Sequence, residues 1–285
     1  MDFGNQIKND LMDILSFEGR FSHYQELAPC VQKRLKGLET LSSYQSNQLP
    51  LDSARYEWIE SNLNIQNAKV VDLGANLGYF SIRLASERNC YVHAYEALPE
   101  YAKSIEMSSQ ICEVQDFLKV STKSITLEDI KQLEPTDLFL HLNVLHHAGI
   151  FYDKNKIFNS NDWYQYALNH LKFLSNVSDR LLIQIGNMWG NQILFDSDRS
   201  IDYICELLSL SNWDVKKIGL INDFDNFTYE TYLPEDFDDI PRISIWRNSQ
   251  TKLVEYKHDN EIIAELKSGS AHRPIFLCEK MKIVR

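Results

Sequence analysis

The pattern of apolar and polar positions along the chain changes once, near residue 66. Before that point apolar residues recur at helical spacing, most clearly over residues 24–41, and Asp52 stands where a capping side chain would open a helix over residues 53–59. After it, short apolar runs alternate with helical stretches. Strands are predicted at 68–73, 91–96, within 117–125, and at 137–142, 180–185, 213–220 and 274–280; helices are predicted at 77–87, 101–111, 163–174 and 201–210. This alternation predicts an α/β fold, a doubly wound and mostly parallel sheet with helices on both faces, which binds ligands beyond the carboxyl ends of its strands. Residues 221–272, rich in Asp, Asn, Tyr and Phe, break the pattern and read as an insertion before the closing strand. The expected division is an N-terminal helical cap (1–66), a core (67–220 with 273–285) and an insertion (221–272). Cap and insertion are expected to cover the strand ends.

Composition narrows the function classes. The chain has 285 residues, 44% hydrophobic and 24% charged, which is ordinary for a globular protein and excludes wholesale disorder. Lys and Arg number 29 against 40 Asp and Glu, a net charge of −11, so extended contact with a nucleic-acid backbone is not expected. No apolar run reaches the roughly 18 residues of a membrane span. The start of the chain lacks the basic flank and apolar centre of a secretory signal, so a cytoplasmic location is expected and the sequons at Asn176 and Asn226 carry no meaning. Five scattered cysteines without a C-x-x-C pair read as reduced, buried thiols rather than a zinc site.

The strongest chemical signal follows the first predicted strand, in Asp72-Leu73-Gly74-Ala75-Asn76-Leu77-Gly78-Tyr79-Phe80-Ser81. Glycines there let the backbone turn sharply and approach a ligand, and the following helix offers free N–H groups. The Gly74-x-x-x-Gly78 spacing differs from the G-x-G-x-x-G of pyrophosphate binding. Glu96 ends the second strand, 22 residues after Gly74, where a carboxylate can accept both hydroxyls of a ribose.

On these residues the chain resembles the class I S-adenosylmethionine-dependent methyltransferases, over residues 50–220 and 274–284. Asp72–Ser81 is similar to that family's first motif and Tyr95-Glu96-Ala97 to its second. The resemblance implies a Rossmann-like sheet with an antiparallel closing strand and S-adenosyl-L-methionine as cofactor. Gly74, Asn76 and Gly78 would line the methionine part of the cofactor, Asp72 would orient the loop and the cofactor's amino group, and Glu96 would hold the ribose. The acid that often contacts adenine after the third strand is absent from Lys123-Ser124-Ile125; Ser124 stands in for it, with Asp116 the alternative if the strand lies earlier. Asn143 falls where the family places a residue beside the transferred methyl group.

After the fourth strand comes Asn143-Val144-Leu145-His146-His147-Ala148-Gly149. A histidine there suits a general base, because methyl transfer to a hydroxyl needs proton removal while the neutral leaving group needs no acid. The competing reading is that His146 and His147 only pack or cap. His141, on the strand itself, reads as a hydrogen-bonded core residue, and these three histidines are not expected to converge on a metal. The Asn/Asp-Pro-Pro-aromatic motif of nucleobase amine methyltransferases is missing. Gly186–Asn191 after the fifth strand, and Tyr229, Tyr232, Arg242, Trp246 and Arg247 in the insertion, are further candidates for lining an acceptor pocket.

The sequence therefore leads to the expectation of a cytoplasmic O-methyltransferase acting on a small polar acceptor such as a sugar, a sugar phosphate or another phosphorylated precursor. It is expected to work without metal, membrane or nucleic acid, and its oligomeric state is open. The alternatives are a transfer-RNA wobble-uridine methyltransferase and a catalytically silent cofactor-binding subunit.

Overall fold

Residues 3–16, 25–36 and 49–282 are described by the computed structural model. The chain divides into two separately packed units, Met1–Ser124 and Ile125–Arg285.

In the first unit three short apolar runs become β1 (Lys69–Leu73), β2 (Tyr91–Glu96) and β3 (Leu118–Thr122), all parallel, in the order β3-β2-β1. Helix α1 (Phe3–Ser16) buries Leu11, Met12 and Leu15. The helix expected over 24–41 is found as α2 (Pro29–Leu35); Tyr24 and residues 37–41 of that expectation lie outside the described residues. Pro29 suits the first helical turn, whose N–H has no intrahelical partner. Helix α3 (Leu51–Asn62) begins one residue before Asp52, so Asp52 is not its cap. The Asp52 carboxylate is instead buried, taking Arg55 Nη1 at 2.8 Å and the Glu26 N–H at 3.1 Å. Helices α4 (Tyr79–Arg88) and α5 (Pro99–Ile111) follow β1 and β2.

The second unit carries β4 (Leu138–Leu142) beside β5 (Arg180–Gln184), in parallel. Leu138–Leu140 and Leu181–Ile183 are fully buried, as unbroken apolar strands covered on both faces should be. The helices of this unit are α6 (Leu127–Ile130), α7 (Ser160–Val177) and α8 (Ser200–Ser209). After β5 comes a small hairpin, β6 (Met188–Trp189) and β7 (Gln192–Ile193). The long strand β8 (Trp213–Asp223) pairs antiparallel with β9 (Thr228–Tyr232), so the sheet extends beyond the expected end at residue 220. A separate antiparallel sheet is formed by β10 (Ser244–Arg247), β11 (Val254–His258) and β12 (Glu261–Leu266). The closing strand β13 (Ile275–Lys280) inserts between β5 and β8 and runs against both.

Two interior features depart from ordinary packing. His141 on β4 and His170 on α7 are buried with their Nε2 atoms 2.9 Å apart, and both Nδ1 atoms lack a hydrogen-bond partner among the described residues. Their pKa values are pushed far down by burial, so both rings are neutral at pH 7. The expectation of uniformly reduced cysteines is corrected: Cys30 and Cys112 form a disulfide, because α2 brings Cys30 to the end of α5 with the Cα atoms 6.0 Å apart. Cys90, Cys205 and Cys278 are not disulfide-bonded. No helix among the described residues is long and apolar enough to cross a membrane.

Candidate active site

In the first unit the chain leaves β1 through a backbone turn that only certain residues accept. Gly74 sits at φ 70° and Gly78 at φ 81°, with Asn76 at φ 54° between them. The N–H groups of Gly74 and Ala75 both donate to the Tyr95 carbonyl, which ties the turn to β2. A Cβ on Gly78 would lie 2.9 Å from Ile105 Cγ1, so the close approach of the turn to α5 also demands glycine.

Three acidic or amide groups surround this turn. Glu96, at the end of β2, is buried and accepts the Asn76 N–H at 2.7 Å and the Leu98 N–H at 2.9 Å. Burial raises its pKa, and the N–H groups it accepts pull the other way. Asp72 is buried and accepts the Ser81 hydroxyl at 2.6 Å. Burial pushes its pKa up to about 7; the Ser81 hydroxyl lowers it and the Glu96 charge raises it. Asn76 Oδ1 is buried with no hydrogen-bond partner. Such an orphaned acceptor is costly unless a ligand donor fills it. Ser124 stands half-buried two residues beyond β3, whereas Asp116 is exposed before β3, at the opposite end of that strand from Glu96's end of β2. The alternative placement of the adenine contact at Asp116 is therefore dropped.

Sequence reasoning missed Gln25. Its Oε1 accepts the N–H groups of Leu77 at 2.8 Å and Tyr79 at 3.3 Å, at the mouth of α4, which has no side-chain cap of its own. No local signal marks it, because the contact spans 52 residues.

In the second unit a polar cluster forms where β4 and β5 end and β13 begins. Asn143 leaves β4 at φ 61°. Its backbone N–H donates to the Gln184 carbonyl at 2.8 Å and its Nδ2 to Gln184 Oε1 at 2.7 Å, while its Oδ1 accepts Arg273 Nη1 at 2.8 Å. Gln184 Nε2 donates to the Arg273 backbone carbonyl at 2.5 Å, which closes a ring of three residues. Arg273 and Gln184 were not foreseen; the only hint was a cation placed directly before an apolar strand.

The two candidate histidines occupy a short 3₁₀ turn, Leu145–His147, and have different surroundings. His146 is 4% exposed, and its Nδ1 accepts the Gly186 N–H at 3.0 Å, which places the ring proton on Nε2. Its pKa is driven far down by burial first, then by Arg273 and the neighbouring histidines. His147 is half-buried, stacks obliquely on His146 and Phe151, and is pulled down to about 4 by burial and then by the Arg273 guanidinium. Both rings are neutral at pH 7. His146 has its lone pair committed to the backbone; His147 makes no side-chain hydrogen bond among the described residues. The turn is held by indole donors, Trp163 Nε1 to the Leu145 carbonyl at 3.2 Å and Trp189 Nε1 to the Ala148 carbonyl at 2.6 Å.

The remaining candidates stand on other elements. Tyr229 and Tyr232 are on β9, Trp246 and Arg247 on β10, and Arg242 pairs with Asp202 at 3.1 Å. Among the described residues no three His, Cys, Asp or Glu side chains are placed to hold a metal.

No family model and no curated protein matches the chain. Solved structures do. The chain is similar to WbdD, a bifunctional kinase-methyltransferase, at 15% identity over 97% of this chain and 42% of that one, with a TM-score of 0.50. It spans about half of the WbdD chains it matches. It is also similar to TrmN from Thermus thermophilus (8% identity, 81% of this chain and 49% of that one, TM-score 0.44) and to a methyltransferase from Pyrococcus furiosus (11%, 61% and 78%, 0.45).

Proposed function

From the class I S-adenosylmethionine-dependent methyltransferase fold that this chain has, we propose that it is a methyltransferase that moves a methyl group from S-adenosyl-L-methionine to a hydroxyl-type oxygen of a small, polar, anionic acceptor, such as a sugar phosphate or another phosphorylated precursor. The observation that carries this reading is the cluster of Asn143, His147 and Arg273, a neutral imidazole beside a guanidinium at the carboxyl ends of β4 and β5.

The glycine turn fits the donor. Asn76 Oδ1 is a buried acceptor in need of a donor such as an ammonium group, and Glu96 retains lone pairs for ribose hydroxyls after accepting two N–H groups. Gly74 and Gly78 keep side-chain bulk out of the turn. When bound, the donor supplies an electrophilic methyl group whose leaving group is a neutral thioether. Asp72 adds negative charge near the turn once ionised. With its pKa near 7, acidification removes that charge, so donor association weakens as pH falls below 7, by up to about tenfold per unit. Calorimetry at pH 6 and pH 8 reads this directly, and Asp72→Asn flattens the dependence; a pH-independent affinity in the unsubstituted protein contradicts it.

In the second unit, Arg273 is the group for an acceptor anion, since a guanidinium presents several donors in a fixed plane. Asn143 holds one edge of that plane and Gln184 fixes its backbone. His147 takes the acceptor's proton. The net charge of −11 opposes a polynucleotide acceptor. A panel of phosphorylated and unphosphorylated hydroxyl compounds, assayed with radiolabelled donor, tests the proposal. Arg273→Gln is expected to raise KM for phosphorylated acceptors about 10- to 100-fold, the loss of a charge-assisted hydrogen bond, and to change KM for neutral compounds far less. Transfer to RNA with tight, salt-sensitive retention, and to none of the small compounds, would overturn it.

A further inference from the structure

The segment holding Gln25 is built differently from the rest of the first unit. Gln25 is buried, and its Oε1 reaches two N–H groups of the glycine turn and the first turn of α4. The next residue locks onto α3: the Glu26 N–H donates to Asp52 Oδ2 at 3.1 Å, and the Glu26 carboxylate accepts the Ser53 N–H at 2.7 Å and the Ser53 hydroxyl at 3.0 Å. Leu27 and Ala28 are buried, and α2 follows at once. One residue into α2, Cys30 is bonded to Cys112, which caps the end of α5. Helix α5 also supplies Ile105, the side chain against which Gly78 packs. The glycine turn is thus gripped from both sides by elements joined through one covalent bond. Cys30 is half-exposed, so an attacking thiolate can reach it, whereas Cys112 is buried.

We propose that residues 25–36 are a redox-tethered strap in which Gln25 is a positioning residue for the donor site and the Cys30–Cys112 bond keeps it in place. This rests on the reading of the glycine turn as the donor site. With the bond closed, Gln25 holds the Leu77 and Tyr79 amides in the geometry the donor requires. A dithiol reductant of the thioredoxin type opens the strap: its thiolate attacks Cys30 Sγ, the Cys30–Cys112 bond breaks, and a mixed disulfide forms. Its second thiol then displaces Cys30. The net change is two electrons and two protons gained by Cys30 and Cys112, with the reductant's own dithiol oxidised to a disulfide. The sequence pattern explains why this device escapes notice: the two cysteines are 82 residues apart and share no motif.

The test measures binding of S-adenosylhomocysteine to the full chain by calorimetry, oxidised and after reduction with dithiothreitol, with the bond state verified by mass. Deuterium uptake at residues 77–79 is followed in parallel. Reduction is expected to weaken binding at least fivefold and to raise uptake at 77–79. Cys30→Ser should match the reduced protein and ignore dithiothreitol. Gln25→Ala should weaken binding of the oxidised protein to the level of the reduced one and show little further loss on reduction, and Gln25→Glu, which keeps an acceptor oxygen, should restore most of it. Equal affinity and equal uptake in the two redox states would overturn the strap. Absence of binding in either state would instead sink the donor-site reading, and the uptake comparison would still decide whether the tether controls the turn.

Discussion

Replacing His147 by alanine lowers the methyl-transfer rate by about two to four orders of magnitude, the usual worth of a positioned general base, and leaves the donor dissociation constant within about a factor of two. The reason for choosing His147 over His146 lies in their lone pairs. His146 spends its Nδ1 on the Gly186 N–H, so its loss removes a buried hydrogen bond and lowers thermal stability together with activity. His147 carries no such bond, so its loss falls mainly on rate, with only the ring contacts to His146 and Phe151 given up. The pH profile gives a second handle. With a ring pKa near 4 in the free protein, and with donor kept saturating at every pH, kcat/KM for the acceptor stays level through neutrality and declines as pH falls toward about 4, where the ring protonates and no longer accepts a proton. An anion bound at Arg273 offsets the positive charge that lowers this pKa, so the acid limb of kcat lies at higher pH than that of kcat/KM. Both limbs vanish in His147→Ala. A variant with unchanged turnover removes His147 from the chemistry.

The second large effect is expected at Gly186. A Cβ there would stand 2.8 Å from His146 Nε2, 2.9 Å from His146 Cδ2 and 3.0 Å from Arg273 Cζ. Neither neighbour moves freely: the ring is buried and bonded to the Gly186 N–H itself, and the guanidinium is held by Asn143. Gly186→Ala therefore displaces both halves of the cluster at once. Displacements of about 1 Å cost on the order of 100-fold in rate, and overpacking of this kind costs about 1–3 kcal/mol of stability. The expected outcome is a kcat/KM for the acceptor down about 100-fold, a modest fall in melting temperature, and donor affinity as before. Steady-state kinetics with calorimetry separates these; a variant as active as the parent means that the cluster is not where the acceptor is handled.

What could be read beforehand follows a physical rule. The turn after β1, the carboxylate ending β2, and strands β4, β5 and β13 were visible because each is a local pattern: an apolar run, a glycine at a fixed offset, a polar residue at a strand end. The contacts that complete the sites are not local. Gln25 reaches Leu77 across 52 residues, Gln184 reaches Arg273 across 89, and Asn143 reaches Arg273 across 130. Nothing in the spacing of a chain records such pairs. Asp52 shows the converse error. Its type and position suited a cap, but Arg55 and the Glu26 backbone drew the carboxylate inward. Residues 244–266 form three strands that alternation alone did not reveal, because β12 is exposed along most of its length and its apolar Ile262 and Ile263 face solvent.

The neutral imidazoles of the interior tie the stability of the folded state to pH. His141, His146, His170 and His272 are each at most 4% exposed, and each holds its proton far less well than the value of about 6.5 that it regains on unfolding. Below that pH the unfolded chain takes up protons on these rings that the native chain refuses, which withdraws stability on acidification. Asp72, Glu96, Asp52 and Glu26 work in the opposite sense, since burial raises the pKa of each and costs stability as pH climbs through the carboxylate range. The two sets of buried groups therefore pull in opposite directions, and the pH of greatest stability is set by their balance.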